Sequence, residues 1–264
     1  MQHAVTVLAH LTALCLAAAE PPRSLDGAAL TALTKDAVTY AVRETYLKKG
    51  GALAGEYQIA LTLQVGLDGR ELAENRWRFE DTDVLPIRGR IIDYTYTASR
   101  DGGARHVVKN HEHRRFCAWF QGRWDTAQDV FMCAQSIGMQ PGYGGVHLST
   151  VWVPALVVRF PARVTLEKGF AWGKRPQPPP RALEQLSALQ QWTLTGWEAK
   201  GDGLRLTLSA RSDAPPDEAG ERCTLTRSVV YDTGLGRVVR SETTFERQGG
   251  PEPERVALVM ERVE

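Results

Sequence analysis

The sequence predicts an α+β fold, mainly β: a large curved antiparallel sheet, of half-barrel or open-barrel type, packed on a long N-terminal helix. Three observations predict it. Apolar residues recur at three- and four-residue spacing between Ala28 and Leu47; from Glu56 the hydrophobic period switches to two; and turn signals separate the alternating stretches too closely for parallel crossovers.

Ahead of the helix, residues 4–19, AVTVLAHLTALCLAAA, contain no Asp, Glu, Lys or Arg and run into Glu20, Pro21 and Pro22. This is the profile of a signal peptide, shorter than the ~20 residues of a stable anchor. Ala17, Ala18 and Ala19 supply the small side chains of a cleavage site, so residues 1–19 are expected to leave and residues 20–264 to form a single β-rich domain. The expected location is periplasmic or extracellular, with no transmembrane segment after cleavage. Bulky Leu14 before Cys15 argues against a lipoprotein.

Asp26 can cap a helix from about Ala28, with Leu30, Leu33, Ala37, Tyr40, Ala41 and Leu47 on one face. Lys48 and Lys49 suit its negative C-terminal end, and Gly50 and Gly51 permit a left-handed exit. Next, Tyr57, Ile59, Leu61, Leu63 and Val65 alternate with Gln58, Ala60, Thr62 and Gln64, the pattern of a strand with one dry face. Asp68 and Gly69 follow as a turn. Similar alternation surrounds Trp77 and Phe79; Ile92, Tyr94 and Tyr96; Phe116, Ala118 and Phe120; Leu204, Leu206 and Leu208; Leu225, Val229 and Tyr231; and Val256, Leu258 and Met260. Turns are expected at Asp101 with Gly102, at Gly122, at Asp202 with Gly203 and over 233–236.

Three stretches interrupt the strands. Residues 138–145, GMQPGYGG, form a loop. Residues 174–181, KRPQPPPR, are stiff and extended, cross an edge or end of the sheet, and lead into a short helix bearing Leu183, Leu186 and Leu189. Residues 212–221 form a polar excursion between paired strands. The run VWVPALVVRF at 151–160 is nearly continuously apolar, so both faces are covered or one meets a cavity, and Pro154 implies an edge or a bulge. In element order, a long helix laid across a curved sheet resembles the periplasmic lipoprotein-carrier half-barrels; the resemblance is one of architecture and carries over no residue roles.

Lys and Arg total 32 against 31 Asp and Glu, so no charge excess drives the chain onto nucleic acid or an anionic bilayer, and no nucleic-acid partner is expected. A basic stretch between Arg76 and Arg123 reads as a solvated outer face. Of the cysteines beyond residue 19, Cys117 and Cys133 are nearest in sequence and could pair; buried thiols are the alternative for these and for Cys223.

The candidate chemistry is sparse. His111 and His113 project from one face of a strand and could grip a metal ion, with His106 nearby and His147 from a later loop; Arg114 and Arg115 oppose that reading. GFAWGK at 169–174 lacks the spacing of a phosphate loop, and no Ser, His and acid set stands out. No cofactor is implied. Among the aromatic residues, Trp77, Phe79, Trp119, Trp124 and Trp152 are candidates to line an apolar pocket, with ordinary core packing as the alternative. The leading expectation is an exported, non-catalytic binding or scaffold protein of the envelope, holding a hydrophobic small molecule or lipid in an apolar concavity. The alternatives are a module that engages an envelope protein through an exposed strand edge and a metal-dependent hydrolase built on His106, His111 and His113.

Overall fold

The computed structural model describes residues 24–27, 30, 38–49, 55–66, 84–100, 106–109, 118–125, 130–137, 151–189, 191–249 and 254–263, with the backbone alone at 48, 57, 64–66, 84–100, 106–109, 118–125, 130–137 and 187–188. The fourteen strands described are β1 (Ser24–Asp26), β2 (Val38–Lys48), β3 (Gly55–Gly66), β4 (Val84–Arg100), β5 (His106–Lys109), β6 (Ala118–Asp125), β7 (Val130–Ile137), β8 (Arg163–Thr165), β9 (Ala171–Trp172), β10 (Trp192–Lys200), β11 (Gly203–Ala214), β12 (Arg222–Asp232), β13 (Arg237–Gln248) and β14 (Glu254–Arg262). Among the described residues, twelve of them form one sheet in the order β7-β6-β4-β3-β2-β14-β13-β12-β11-β10-β9, with β5 also on β4; every pairing is antiparallel. Two runs of sequential neighbours, β2 to β7 and β10 to β14, are joined where the last strand pairs with β2. β1 and β8 form a separate pair.

The expected long N-terminal helix is overturned. Among the described residues no helix reaches seven residues, and Val38–Lys48, the second half of the expected helix, is a strand between β14 and β3. The stretch carries a second period: Val38, Tyr40, Val42, Glu44 and Tyr46 alternate and are buried, while Arg43 and Leu47 are exposed. Its β-branched and aromatic content suits a pleated surface flanked on both sides by partners. The first half of the expected helix lies mostly outside the described residues. The architectural resemblance to the lipoprotein-carrier half-barrels rested on that helix and falls with it.

The strands expected around Tyr57 to Val65, Ile92 to Tyr96, Leu204 to Leu208, Leu225 to Tyr231 and Val256 to Met260 are present. Those around Trp77 and Phe79 lie outside the described residues, as do the 138–145 loop and residues 1–19. Gly122 is no turn: it sits within β6 opposite Cys133 at a register shift, where a bulge accepts a residue with no side chain to pack. Ser212 to Ala214 still pair with β12, so the polar excursion is confined to 215–221.

In β2, β3 and β10 to β14, alternation gives the sheet a covered face and an open face. β11 shows it plainly, Leu204, Leu206, Leu208, Ala210, Ser212 and Ala214 being buried while Arg211 and Asp213 are exposed. The covered face packs under the 151–158 segment, in which Val151, Trp152, Val153, Ala155, Leu156 and Val158 are all buried. Pro154 occupies neither an edge nor a bulge. It opens the 3-10 turn Pro154–Leu156, where a missing N–H costs nothing. That turn packs on β13 and on a second 3-10 turn, Leu183–Ala188, whose Leu183 and Leu186, with Leu189 just beyond, enter the same core.

Candidate functional site

One row of residues runs straight across the covered face. Strand register places Trp172, Trp192, Ala210, Arg227, Thr243, Leu258, Glu44 and Ile59 side by side on eight neighbouring strands. Two members are charged and buried. Glu44 is fully enclosed; the Trp152 indole Nε1 donates to its Oε2 at 2.8 Å and the Tyr46 hydroxyl donates to its Oε1. Arg227 donates through Nη2 to the backbone carbonyls of Ala155 and Val157. Its guanidinium lies 4.9 Å from the Trp192 ring centroid, two strands away, reaching across the short side chain of Ala210. A buried charge is tolerable when its hydrogen-bonding capacity is met. The 151–158 segment meets it at both places, so the segment is a strap fastened at β2 through Trp152 and at β12 through two carbonyls.

Among the described residues, the open face carries a groove. It measures 490 Å³ and lies between the proline-rich segment and the open face of β10 and β11, with Arg175, Pro176, Gln177 and Pro179 on one side and Gln191, Thr193, Ser209, Arg211 and Asp213 on the other. The proline-rich wall is clamped at both ends. At one, Arg175 Nε donates to Gln191 Oε1 at 3.2 Å. At the other, Arg181 Nη2 donates to the Pro215 carbonyl at 2.7 Å and Nη1 to Asp217 Oδ2 at 3.2 Å, while its carbonyl accepts from Arg247 Nη2 and from the thiol of Cys223. Asp217 in turn accepts from the backbone N–H groups of Ala219 and Glu221, which folds the 215–221 loop onto the arginine. With proline φ angles fixed as well, the wall is preorganised.

Arg211 and Asp213 form the groove's ion pair in a two-point geometry, Nε to Oδ2 at 2.8 Å and Nη2 to Oδ1 at 2.9 Å, with Thr224 Oγ1 donating to the same carboxylate. The Arg211 hydrogen bond chiefly holds the Asp213 carboxyl below its usual range against a smaller burial effect, with the Thr224 bond and the charges of Arg211 and Arg222 adding to it. A second polar hollow of 410 Å³ on β11, β12 and β13 shares Arg211 and Asp213.

Of the aromatic candidates, Trp152 is a strap residue of the core, 1% exposed, with its indole nitrogen on Glu44. Trp119 and Trp124 lie on β6, described as backbone; Trp77 and Phe79 lie outside the described residues, as do His111, His113 and Cys117. His106 opens β5 and Cys133 lies on β7, also as backbone. Cys223 is a buried free thiol. Among the described residues no three His, Cys, Asp or Glu groups gather as a metal site, and no helix is long and apolar enough to cross a membrane. β10 leaves Gly196–Lys200 without a neighbour on its far side among the described residues. That edge is short and carries Glu198 and Lys200, charges that discourage strand addition.

Sequence reading missed Glu44, Arg227 and the groove. For Glu44 a signal existed, a lone acid at an inward position of the alternating series Val38, Tyr40, Val42, Glu44, Tyr46. For the groove none existed, because its two clamps join residues far apart in the chain. No known family model matches this chain and no curated protein is significantly similar to it, so its functional reading rests on this geometry.

Proposed function

We propose that the protein is an exported, non-catalytic binding or scaffold protein of the envelope, and that its ligand sits in the polar groove on the open face of β10 and β11. The observation that carries this reading is the construction of the groove. Its proline-rich wall is clamped at both ends, and its volume lies within the ~300–1,000 Å³ of small-molecule sites. A hydrophobic ligand on the covered face competes with the strap, which packs on β13 and is hydrogen-bonded to Arg227 on β12 and Glu44 on β2.

A groove-filling variant tests the reading. Ser209 lies on the groove floor opposite Thr193, so Ser209→Trp obstructs the space while leaving the covered face unchanged. In a thermal-shift screen of polar metabolites on the full chain, compounds that raise Tm for the wild type and not for Ser209→Trp support it. Compounds that raise both equally place binding elsewhere and refute it.

A further inference from the structure

We infer that the groove takes a neutral oligosaccharide, with Gln177, Gln191, Thr193 and Ser209 reading its hydroxyl groups and the rings of Pro176 and Pro179 lying against its C–H faces. This rests on the groove being the ligand site and adds the ligand class.

The lining decides the class. The side chains of Gln177, Thr193 and Ser209 line the groove and have no hydrogen-bond partner among the described residues. Gln191 uses its Oε1 on Arg175 and keeps its two amide hydrogens. Neutral amides and hydroxyls, each able to donate and three of the four able to accept, match a chain of hydroxyl groups that does both. A phosphate or polyanion calls for several unpaired cations; among the described residues Arg211 is joined at two points to Asp213, which leaves Arg175, bound at Nε to Gln191 and with its Nη groups free, as the one guanidinium of the groove without a carboxylate partner. A single-stranded nucleic acid would need aromatic platforms, and among the described residues no aromatic side chain lines the groove. An extended peptide would add to a strand edge, yet the β10 edge beside the groove is occupied, with Leu194 N–H donating to the Phe170 carbonyl and Gly169 N–H to that of Leu194.

The same lining makes the groove a place to hold a sugar rather than cut it. Glycosidic cleavage ordinarily uses two carboxyl groups, one of them protonated. Among the described residues Asp213 is the single carboxylate lining the groove, and its arginine holds its pKa down.

Isothermal titration calorimetry of the full chain decides the matter with maltotetraose, cellotetraose and tetra-N-acetylchitotetraose as neutral probes, and tetragalacturonate and tripolyphosphate as anionic ones. The expected result is saturable binding of at least one neutral probe. Thr193→Val should weaken it about tenfold, the loss expected of one hydrogen bond, and Ser209→Trp should abolish it. The remote open-face variant Glu261→Ala should bind as wild type. Should Ser209→Trp fail to fold, Thr193→Tyr obstructs the same floor. Binding of the anionic probes alone, lost in Ser209→Trp, overturns the neutral-sugar class and leaves the groove as the site. Sugar binding that survives both blocking variants overturns the site as well, and no binding by any neutral probe overturns the proposal.

Discussion

On the covered face Glu44 and Arg227 stand three strands apart, each buried, each holding one part of the same strap. On the open face Arg211 and Asp213 lie two residues apart on one strand, joined to each other and about half exposed. The chemistry is similar and the consequences differ. Removing a partner from a buried charge strands a group that water cannot reach, whereas an exposed ion pair exchanges protein for solvent at little net change. The covered-face charges therefore answer for stability, and the open-face charges remain available to shape a site.

The largest expected effect breaks the strap at Trp152. Trp152→Ala removes a fully buried indole and the Glu44 donor together, so urea denaturation should show a loss of roughly 3–5 kcal/mol. A loss below about 1 kcal/mol would mean that the strap is not part of the core. Arg227→Met should follow at about 2–4 kcal/mol, since it leaves the Ala155 and Val157 carbonyls unpaired above an apolar sheet. The matching open-face change, Arg211→Met, should stay within ~1 kcal/mol. Equal effects at the two positions would erase the distinction between the faces.

β11, β12 and β14 were legible because one face is packed and the other wet, so burial and period coincide over Leu204 to Ala214, Leu225 to Tyr231 and Val256 to Met260. β2 was not. Tyr40, Ala41 and Leu47 satisfy a helical stripe while Val38, Tyr40, Val42 and Tyr46 satisfy a strand, and what chose between them was pairing with β14, more than two hundred residues away in the chain. The proline-rich segment was legible as extended because proline fixes φ locally. Its role as a groove wall was not, since that depends on Arg181 meeting a loop 34 to 40 residues further on.

A third, smaller effect lies at alkaline pH and belongs to the covered face alone. Tyr40 donates its hydroxyl to the Val238 carbonyl at 2.8 Å, and burial pushes its pKa up to about 12, against a smaller opposing pull from Arg237 and Arg262. The raised value means that its contribution is present below pH ~10 and is lost as pH rises toward 12, a change of roughly 3 kcal/mol at most. Burial also raises the pKa of Tyr231, so it adds in the same direction. Tyr40→Phe should cost about 1 kcal/mol at neutral pH and flatten the decline between pH 10 and 12; an unchanged slope would show that Tyr40 ionises freely in the folded state.

The smallest stability effect is expected at Asp213, where the reading of the open face is most exposed to failure. Its lowered pKa means that the Arg211 pair persists above the ordinary aspartate range and is lost only as pH falls below ~4 toward the folded value. Because the pair is about half exposed, Asp213→Asn should change unfolding free energy by less than ~1 kcal/mol. Yet the substitution releases Arg211 from its two-point hold, so the groove gains an unpaired guanidinium and should shift its preference from neutral toward anionic probes. A variant with unchanged stability and altered ligand preference would separate site chemistry from folding at a single carboxylate. A variant that unfolds instead would show that the open face, too, is held together by its charges.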